Sequence, residues 1–470
     1  MLFLIFLLPL LASLKAAELP DLGEPARAVF STVQEKQFGV LAMVQLRQQA
    51  PMLDDIELTQ YVQQLGNRLV AQLPANGLKF SFFVVDDPTI NAFALPGGYI
   101  GVHTGLLSAA RSESELASVL AHEISHVTQG HISRMIATQQ RQLYPTMAGM
   151  LAALILTRAD PEAARAAMML GPAFMMQQML NFSRENEQEA DRMGLRLLAE
   201  SGFEPNGMAS FFKRLQEENR RYGNKETFPY LRTHPLTTER IADMENRLAG
   251  YRYRQVEDST DFLLMRAKVR ARQMANPDGL ARLHDHLQKK HYFSELAERY
   301  TYAEALLLTR NLNAAKSEYE KISHENSPAI AGLGVDIFLA ANDFKKAEDL
   351  AKKALLRYPQ SEALNMRLAE ARFAQKHYKE AKPIVESLLN QGLENARLYA
   401  MKGEIEFALG NVFEAHLATA ERFFAEGDLQ SALVQGRLAL KTSAAAPSSR
   451  VLAARSRLRE MERIYDALQR

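Results

Sequence analysis

The sequence has no cysteine among its 470 residues. That absence removes a disulfide framework, a thiolate zinc site, an iron–sulfur cluster, a cysteine nucleophile and a lipid-modified N-terminal cysteine. Any metal must therefore sit on histidine and carboxylate. Net charge is also scarce: 56 Lys and Arg against 55 Asp and Glu leave a formal +1, which offers no bulk attraction for a polyanion, so nucleic acid is not an expected partner. Long apolar runs are missing as well. LFLIFLLPLLASL, residues 2–14, is an apolar run of 13, short of the ~20 residues a helix needs to cross a bilayer.

That run reads as the apolar core of a signal peptide over residues 1–17, cleaved near Ala16 or Ala17, and predicts export to the periplasm. No basic residue precedes it, and Lys15 fits a small-x-small cleavage site poorly. An uncleaved anchor or a buried helix is the alternative. With no later apolar stretch of 18 or more, the exported chain is expected to be soluble, which leaves peripheral contact with a membrane open.

What is present is ordinary globular material, 47% hydrophobic and 24% charged, in a length that suggests about three domains, or two if one is elongated. Helix-like spacing over residues 28–73 predicts two helices. Residues 79–85 and 99–103 read as strands, with Pro96-Gly97-Gly98 as the turn before the second. A helix opens at Ser112 with Glu115 three residues on, a capping-box pattern, and carries Leu116, Val119, Leu120 and Val127 on its apolar side. From about residue 260 the texture becomes Ala-rich and helical. Alanines recur at 315, 347, 381 and 415, in steps of 32, 34 and 34. A period near ~34 resembles tetratricopeptide repeats, in which a small residue lets two antiparallel helices approach. Asp428 to Ala432 repeats the pattern after only 17 residues, so the last units are irregular, and an unrelated Ala-rich helical bundle is the plainer alternative.

The sharpest signal is His122-Glu123-Ile124-Ser125-His126, an H-E-x-x-H pattern on the helix inferred independently from spacing. Residues at i and i+4 share a helix face, so both imidazoles reach one zinc ion. Glu123, about 100° round the helix, reaches a water. Catalytic zinc usually has three protein ligands. The extended form of the motif would need glycine at 129 and histidine at 132, where the chain has Gln129 and Ile132. His131, nine positions after His122 on a continued helix, points away, as a surface residue or a second contact. Farther on, Glu187 and Asp191 stand at i and i+4. Glu187 completes the ligand set, and Asp191 accepts a hydrogen bond from a ligand histidine. Glu185 and Glu189 read as the solvated face of that helix.

These residues, with Asn91-Ala92-Phe93-Ala94-Leu95-Pro96-Gly97-Gly98 and Thr233-His234-Pro235, resemble the zinc peptidase family of the CAAX prenyl endopeptidase and the mitochondrial membrane stress protease. The resemblance is tight from about 90 to 240 and loose over the repeats. With an export signal ahead and tetratricopeptide repeats behind, the chain is similar to the periplasmic, repeat-bearing members of that family in Gram-negative bacteria. That implies one Zn2+ per chain, unfolded or stalled outer-membrane proteins as clients, and the outer-membrane barrel assembly machinery as a partner docked through the repeats. It also implies a site role for the Thr-His-Pro motif. Proline disfavours helix before it and puts His234 on a loop, where three readings stand: a fourth ligand that plugs the resting site, an oxyanion donor, or a packed loop histidine.

The expected fold is mainly α with a small β-sheet: a zincin-type metalloprotease domain over 18–255, then an α-helical tetratricopeptide-repeat solenoid over 256–470. The expected chemistry is zinc on His122, His126 and Glu187, with Glu123 as base and Asp191 in support. Tyr99, Ile100, Gly101 and Val102 are read as an edge strand that an extended client joins by main-chain hydrogen bonds. Residues 147–156 and 164–180 read as a Met-rich helical hairpin, either a pliable client surface or ordinary core. The competing function is a non-proteolytic repeat scaffold or chaperone with a structural zinc site.

Overall fold

A computed structural model describes residues 32–74, 78–137, 184–221 and 228–469. The expected signal peptide and the Met-rich hairpin lie outside the described residues. Two helices, α1 (Thr32–Gln49) and α2 (Ile56–Val70), precede a three-stranded sheet of β1 (Ser81–Val85), β2 (Ala92–Leu95) and β3 (Tyr99–His103). Then come α3 (Thr104–Ala109), α4 (Glu113–Thr128), α5 (His131–Ala137), α6 (Arg184–Glu200), α7 (Asn206–Arg221), α8 (Pro229–Thr233) and α9 (Thr238–Leu248). The helical array consists of α10 (Thr260–Met274), α11 (Pro277–Lys289), α12 (Glu295–Leu308), α13 (Leu312–Ile322), α14 (Pro328–Ala340), α15 (Phe344–Leu355), α16 (Glu362–Ala374), α17 (Tyr378–Asn390), α18 (Ala396–Ala408), α19 (Val412–Ala425), α20 (Leu429–Lys441) and α21 (Ser448–Gln469).

The sheet order is β1-β3-β2, β3 running parallel to β1 and antiparallel to β2. This corrects one expectation. Tyr99, Ile100, Gly101 and Val102 form a central strand, paired on one side with Ser81 to Val84 and on the other with Ala92 to Leu95. Asn91 to Leu95 folds back through the Pro96-Gly97-Gly98 turn as a strand of its own. Among the described residues, β2 pairs only with β3. Gly98 takes φ 83°, and a β-carbon there would fall 2.1 Å from the Lys79 carbonyl oxygen, so the turn admits no other residue.

α4 begins as its sequence indicates: Ser112 accepts from the Glu115 N–H at 3.2 Å, and the Glu115 carboxylate accepts from the Arg111 N–H at 2.8 Å. It is buried on every side from Glu113 to Val127, a central helix rather than a half-exposed one. Its stop decides the site. Gly130 turns the chain at φ 64°, a left-handed value that glycine adopts without strain, and α5 starts afresh at His131.

In the array, Ala315, Ala347, Ala381 and Ala415 are all buried, each on the helix that follows a tight turn. The residue before the cap of each of these four helices, and before that of α20, is left-handed: Arg310, Asn342, Lys376 and Gly410, and Gly427. The main apolar core does not break near residue 255. One cluster runs from Leu53 through Leu120 and Phe212 to Phe262, Tyr300 and Ile337. The peptide N–H of Glu113 donates to Asp258 at 2.7 Å, and the Ser259 hydroxyl donates to the Glu113 carboxylate at 2.7 Å. At the far end, Val44 of α1 packs with Phe424, Leu429, Leu433 and Met461, and Gln48 donates to the Gly427 carbonyl at 2.8 Å.

Candidate metal centre

Three elements deliver four side chains to one buried point. α4 supplies His122 and His126 from successive turns, α6 supplies Glu187 from its first turn, and His234 caps the short helix α8. One ligand atom of each lies within 4.8 Å of the others, and all four residues are buried. His122 Nε2 is 3.0 Å from His126 Nε2 and 3.4 Å from His234 Nδ1. Glu187 Oε1 is 2.9 Å from His234 Nδ1 and 3.4 Å from His126 Nε2. The approach of α6 to α4 depends on Gly194, where a β-carbon would lie 3.1 Å from the His122 backbone nitrogen.

Asp191, one turn beyond Glu187, places Oδ1 3.1 Å from His122 Nδ1, so a proton on Nδ1 faces a carboxylate while Nε2 faces the cluster, where a metal would take its lone pair. Both acids are clamped by Arg240, which sequence reasoning missed. Its guanidinium is 2.7 and 2.8 Å from the two Asp191 oxygens, 2.8 Å from Glu187 Oε2, and donates to the Pro235 carbonyl at 2.8 Å. Tyr230, also missed, is 1% exposed and lays its ring 4.8 Å from that of His234. Arg240 lies five residues beyond the Thr-His-Pro motif, behind a Thr237 helix cap. A cation near two acids was the only signal available.

His131 is a second correction. On a continued helix it would point away. Because α4 ends at Thr128 and Gly130 reverses the backbone, it is instead fully buried with Nδ1 2.8 Å from His126 Nδ1. Its Nε2 lies 3.0 Å from Glu189, which is therefore only half exposed and is engaged with Arg134 as well. Glu185 is exposed.

Burial shifts the titration of His122, His126, Glu187 and Glu123. It opposes charge on His122, yet the Asp191 and Glu187 carboxylates outweigh it and hold the imidazole up at about 9. His126, where burial dominates, is pushed well below the usual range. Burial alone would raise Glu187, but His234 and Arg240 hold it well below the ordinary carboxylate range, so it stays an anion. Glu123 goes the other way, raised chiefly by burial and only partly relieved by His234, His122 and the Ala94 backbone N–H. Both of its oxygens are buried, and His234 Nε2 stands 3.4 Å away.

Three imidazoles and a carboxylate that turn acceptor atoms on one another repel unless protons or a cation lie between them. The donor set is the N and O type that zinc takes. The residues thus fit a metal ion, with Glu123 beside it rather than in the ligand set.

Comparison with known proteins agrees with this geometry. Residues 57–248 match the model of peptidase family M48, and residues 338–405 match a tetratricopeptide-repeat model. The chain is 34% identical to the beta-barrel assembly-enhancing protease of Escherichia coli (strain K12) over 89% of its own length and 86% of that protein's. It is 43% identical to the putative beta-barrel assembly-enhancing protease of Vibrio cholerae over 56% of its length, which spans about half of that relative, 54%. Over 40% of its length it is 31% identical to the mitochondrial metalloendopeptidase OMA1 of Schizosaccharomyces pombe, covering 53% of that protein.

Proposed function

The chain belongs to peptidase family M48 and is a metallopeptidase, and from that premise we propose that it is a periplasmic zinc endopeptidase that attends outer-membrane protein assembly and cleaves clients that stall there. The observation that carries the reading is the convergence of His122 and His126 with Glu187 around one point, with the buried carboxylate of Glu123 beside them. The names of the relatives supply the assembly context.

His122, His126 and Glu187 hold zinc, which supplies Lewis acidity to a scissile carbonyl and acidifies water. Glu123 takes the proton from the attacking water and returns it to the leaving amine, a task helped by burial that raises its proton affinity. Asp191 and Arg240 fix the two flanking ligands. An extended client adds along β2, whose Ala94 N–H faces Glu123, so that main-chain hydrogen bonds rather than side-chain pockets hold it. The repeat array carries the docking to the barrel assembly machinery, as such arrays present surfaces for protein segments.

His234 closes the ligand set. With it the site has four protein donors, the composition of a closed centre, and this supports a resting state plugged until a client or partner draws α8 away. His234→Ala should then cleave unfolded protein several-fold faster with zinc retained. Slower turnover at normal zinc content would favour an oxyanion donor, and no change a packed loop histidine.

The test of the whole reading is hydrolysis of casein. Wild type should cleave it and a chelator should stop this. Glu123→Gln should keep one zinc per chain while losing roughly 10²–10⁴-fold in rate. Zinc loss in Glu123→Gln would sink its assignment as base. A full zinc complement with no hydrolysis, even in His234→Ala, would hand the case to the non-proteolytic scaffold.

A further inference from the structure

Behind the ligand His126 stands a second histidine with a carboxylate behind it. His131 Nδ1 lies 2.8 Å from His126 Nδ1, and His131 Nε2 lies 3.0 Å from Glu189 Oε2. Arg134 holds the same Glu189 oxygen at 3.1 Å. Both histidines are fully buried.

The protons along this line have one consistent arrangement. His126 turns Nε2 into the cluster, 3.0 Å from His122 Nε2 and 3.4 Å from Glu187 Oε1. A metal there takes the Nε2 lone pair, so the ring proton sits on Nδ1. Two Nδ1 atoms 2.8 Å apart can share only one proton. His131 must therefore accept at Nδ1 and carry its own proton on Nε2, which points at Glu189.

We propose that His131, seated on Glu189, is a positioning residue that fixes the tautomer and ring plane of His126 for metal binding, an inference that rests on the metal-centre reading above. The two α4 ligands are then oriented by different devices. Asp191 acts on His122 directly, whereas Glu189, half exposed on α6, acts on His126 through an intervening imidazole. Gly130 makes the second device feasible, since its left-handed turn brings residue 131 back under residue 126. Outer partners of this kind typically affect metal affinity 10–100-fold.

The experiment is a zinc titration of the full chain against a chromophoric chelator. His131→Leu should weaken zinc ~10–100-fold. In His131→Gln the amide oxygen can accept the His126 proton while the amide N–H reaches Glu189, and most of the affinity should return. Glu189→Gln should show a smaller loss. Unchanged affinity in His131→Leu would overturn the proposal, as would equal losses in the Leu and Gln variants, which would mean packing alone. If metal-free melting shows that His131→Leu does not fold, Glu189→Gln decides, and wild-type affinity there overturns the proposal. His126→Ala separates the two levels: if it binds zinc normally, the metal-centre reading itself has failed.

Discussion

Arg240 is 2% exposed and makes every polar contact available to it within the protein, to Asp191, to Glu187 and to the Pro235 carbonyl. Against the cost of burial, those carboxylates raise its affinity for its proton, so it stays a cation. Removing one partner of such a group strands the others, at a cost of ~3–5 kcal/mol. Arg240→Met should lower unfolding free energy by about that much in denaturant titration and weaken zinc binding. A variant as stable as wild type would mean that the two acids find other partners. Most of the residues that meet at the site were legible because i and i+4 spacing is a property of one helix, as for His122 with His126 and Glu187 with Asp191. Arg240 was not. A cation that arrives from a third element, five residues past a proline turn, carries no local mark of its destination. His131 was misjudged for a related reason: the angle of 100° per residue holds only while the helix lasts, and Gly130 ends it.

Among elements, the distance between α4 and α6 matters most, because each carries part of the ligand set. Gly194 sets it, with room for a β-carbon only 3.1–3.2 Å from the backbone of Ala121 and His122. Gly194→Ala should push α6 outward, cost ~1–3 kcal/mol by overpacking, and reduce zinc affinity in a chelator competition because Glu187 moves with the helix. Wild-type affinity and stability would show that the interface can absorb a methyl group. The strand at 99–103 was found in sequence with its bounds, but its place in the sheet was not, since Asn91 to Leu95 is too short and too close to the turn to announce itself as a partner. The repeats were recognised by buried alanines, while their missing glycines made the pattern look degenerate. The turns explain this. Arg310, Asn342 and Lys376 occupy the left-handed position that Gly410 and Gly427 fill elsewhere, each at a strain of order 1 kcal/mol that the flanking helices hold in place.

At the scale of the molecule, the repeats are joined to the catalytic half by charge as well as by core. Glu57 of α2 is 2.6 Å from Lys268 of α10 and 2.7 Å from Arg367 of α16. Arg367 in turn makes a two-pronged pair with Asp336. The expected division near residue 255 is not a division of the core, since a cut there would bare Phe262, Leu264 and Tyr300, all buried in the shared cluster. Beside Lys268 lies Glu304, 7% exposed, with Oε2 unpartnered. Burial, only partly offset by Lys268, pushes its carboxyl up to about 7. The folded state then holds a proton that the unfolded chain releases near 4.5, so this group's contribution to stability falls as pH rises through that window. Melting temperatures measured from pH 5 to pH 7 should decline more steeply in wild type than in Glu304→Gln. Parallel curves would place the proton elsewhere.

The contact between the first and last helices has a kinetic side. Gln48 and Gly427 are hydrogen-bonded across 379 positions of sequence, and Val44 has its apolar neighbours among residues 424–461. Contacts of such separation must close a long loop before they return any energy, so they form late. α1 also braces the sheet turn beside the catalytic half, where Gly39 meets the Pro96 carbonyl and Glu35 accepts from the Gly97 N–H at 3.3 Å. A chain delivered from its N-terminus can pack Ala42, Met43 and Leu46 on the sheet early, but Val44 gains its neighbours only when residues 424–461 have arrived. The brace on the sheet turn is thus itself held from the far end of the array, so a change around Phe424 or Leu433 reaches the catalytic half through α1.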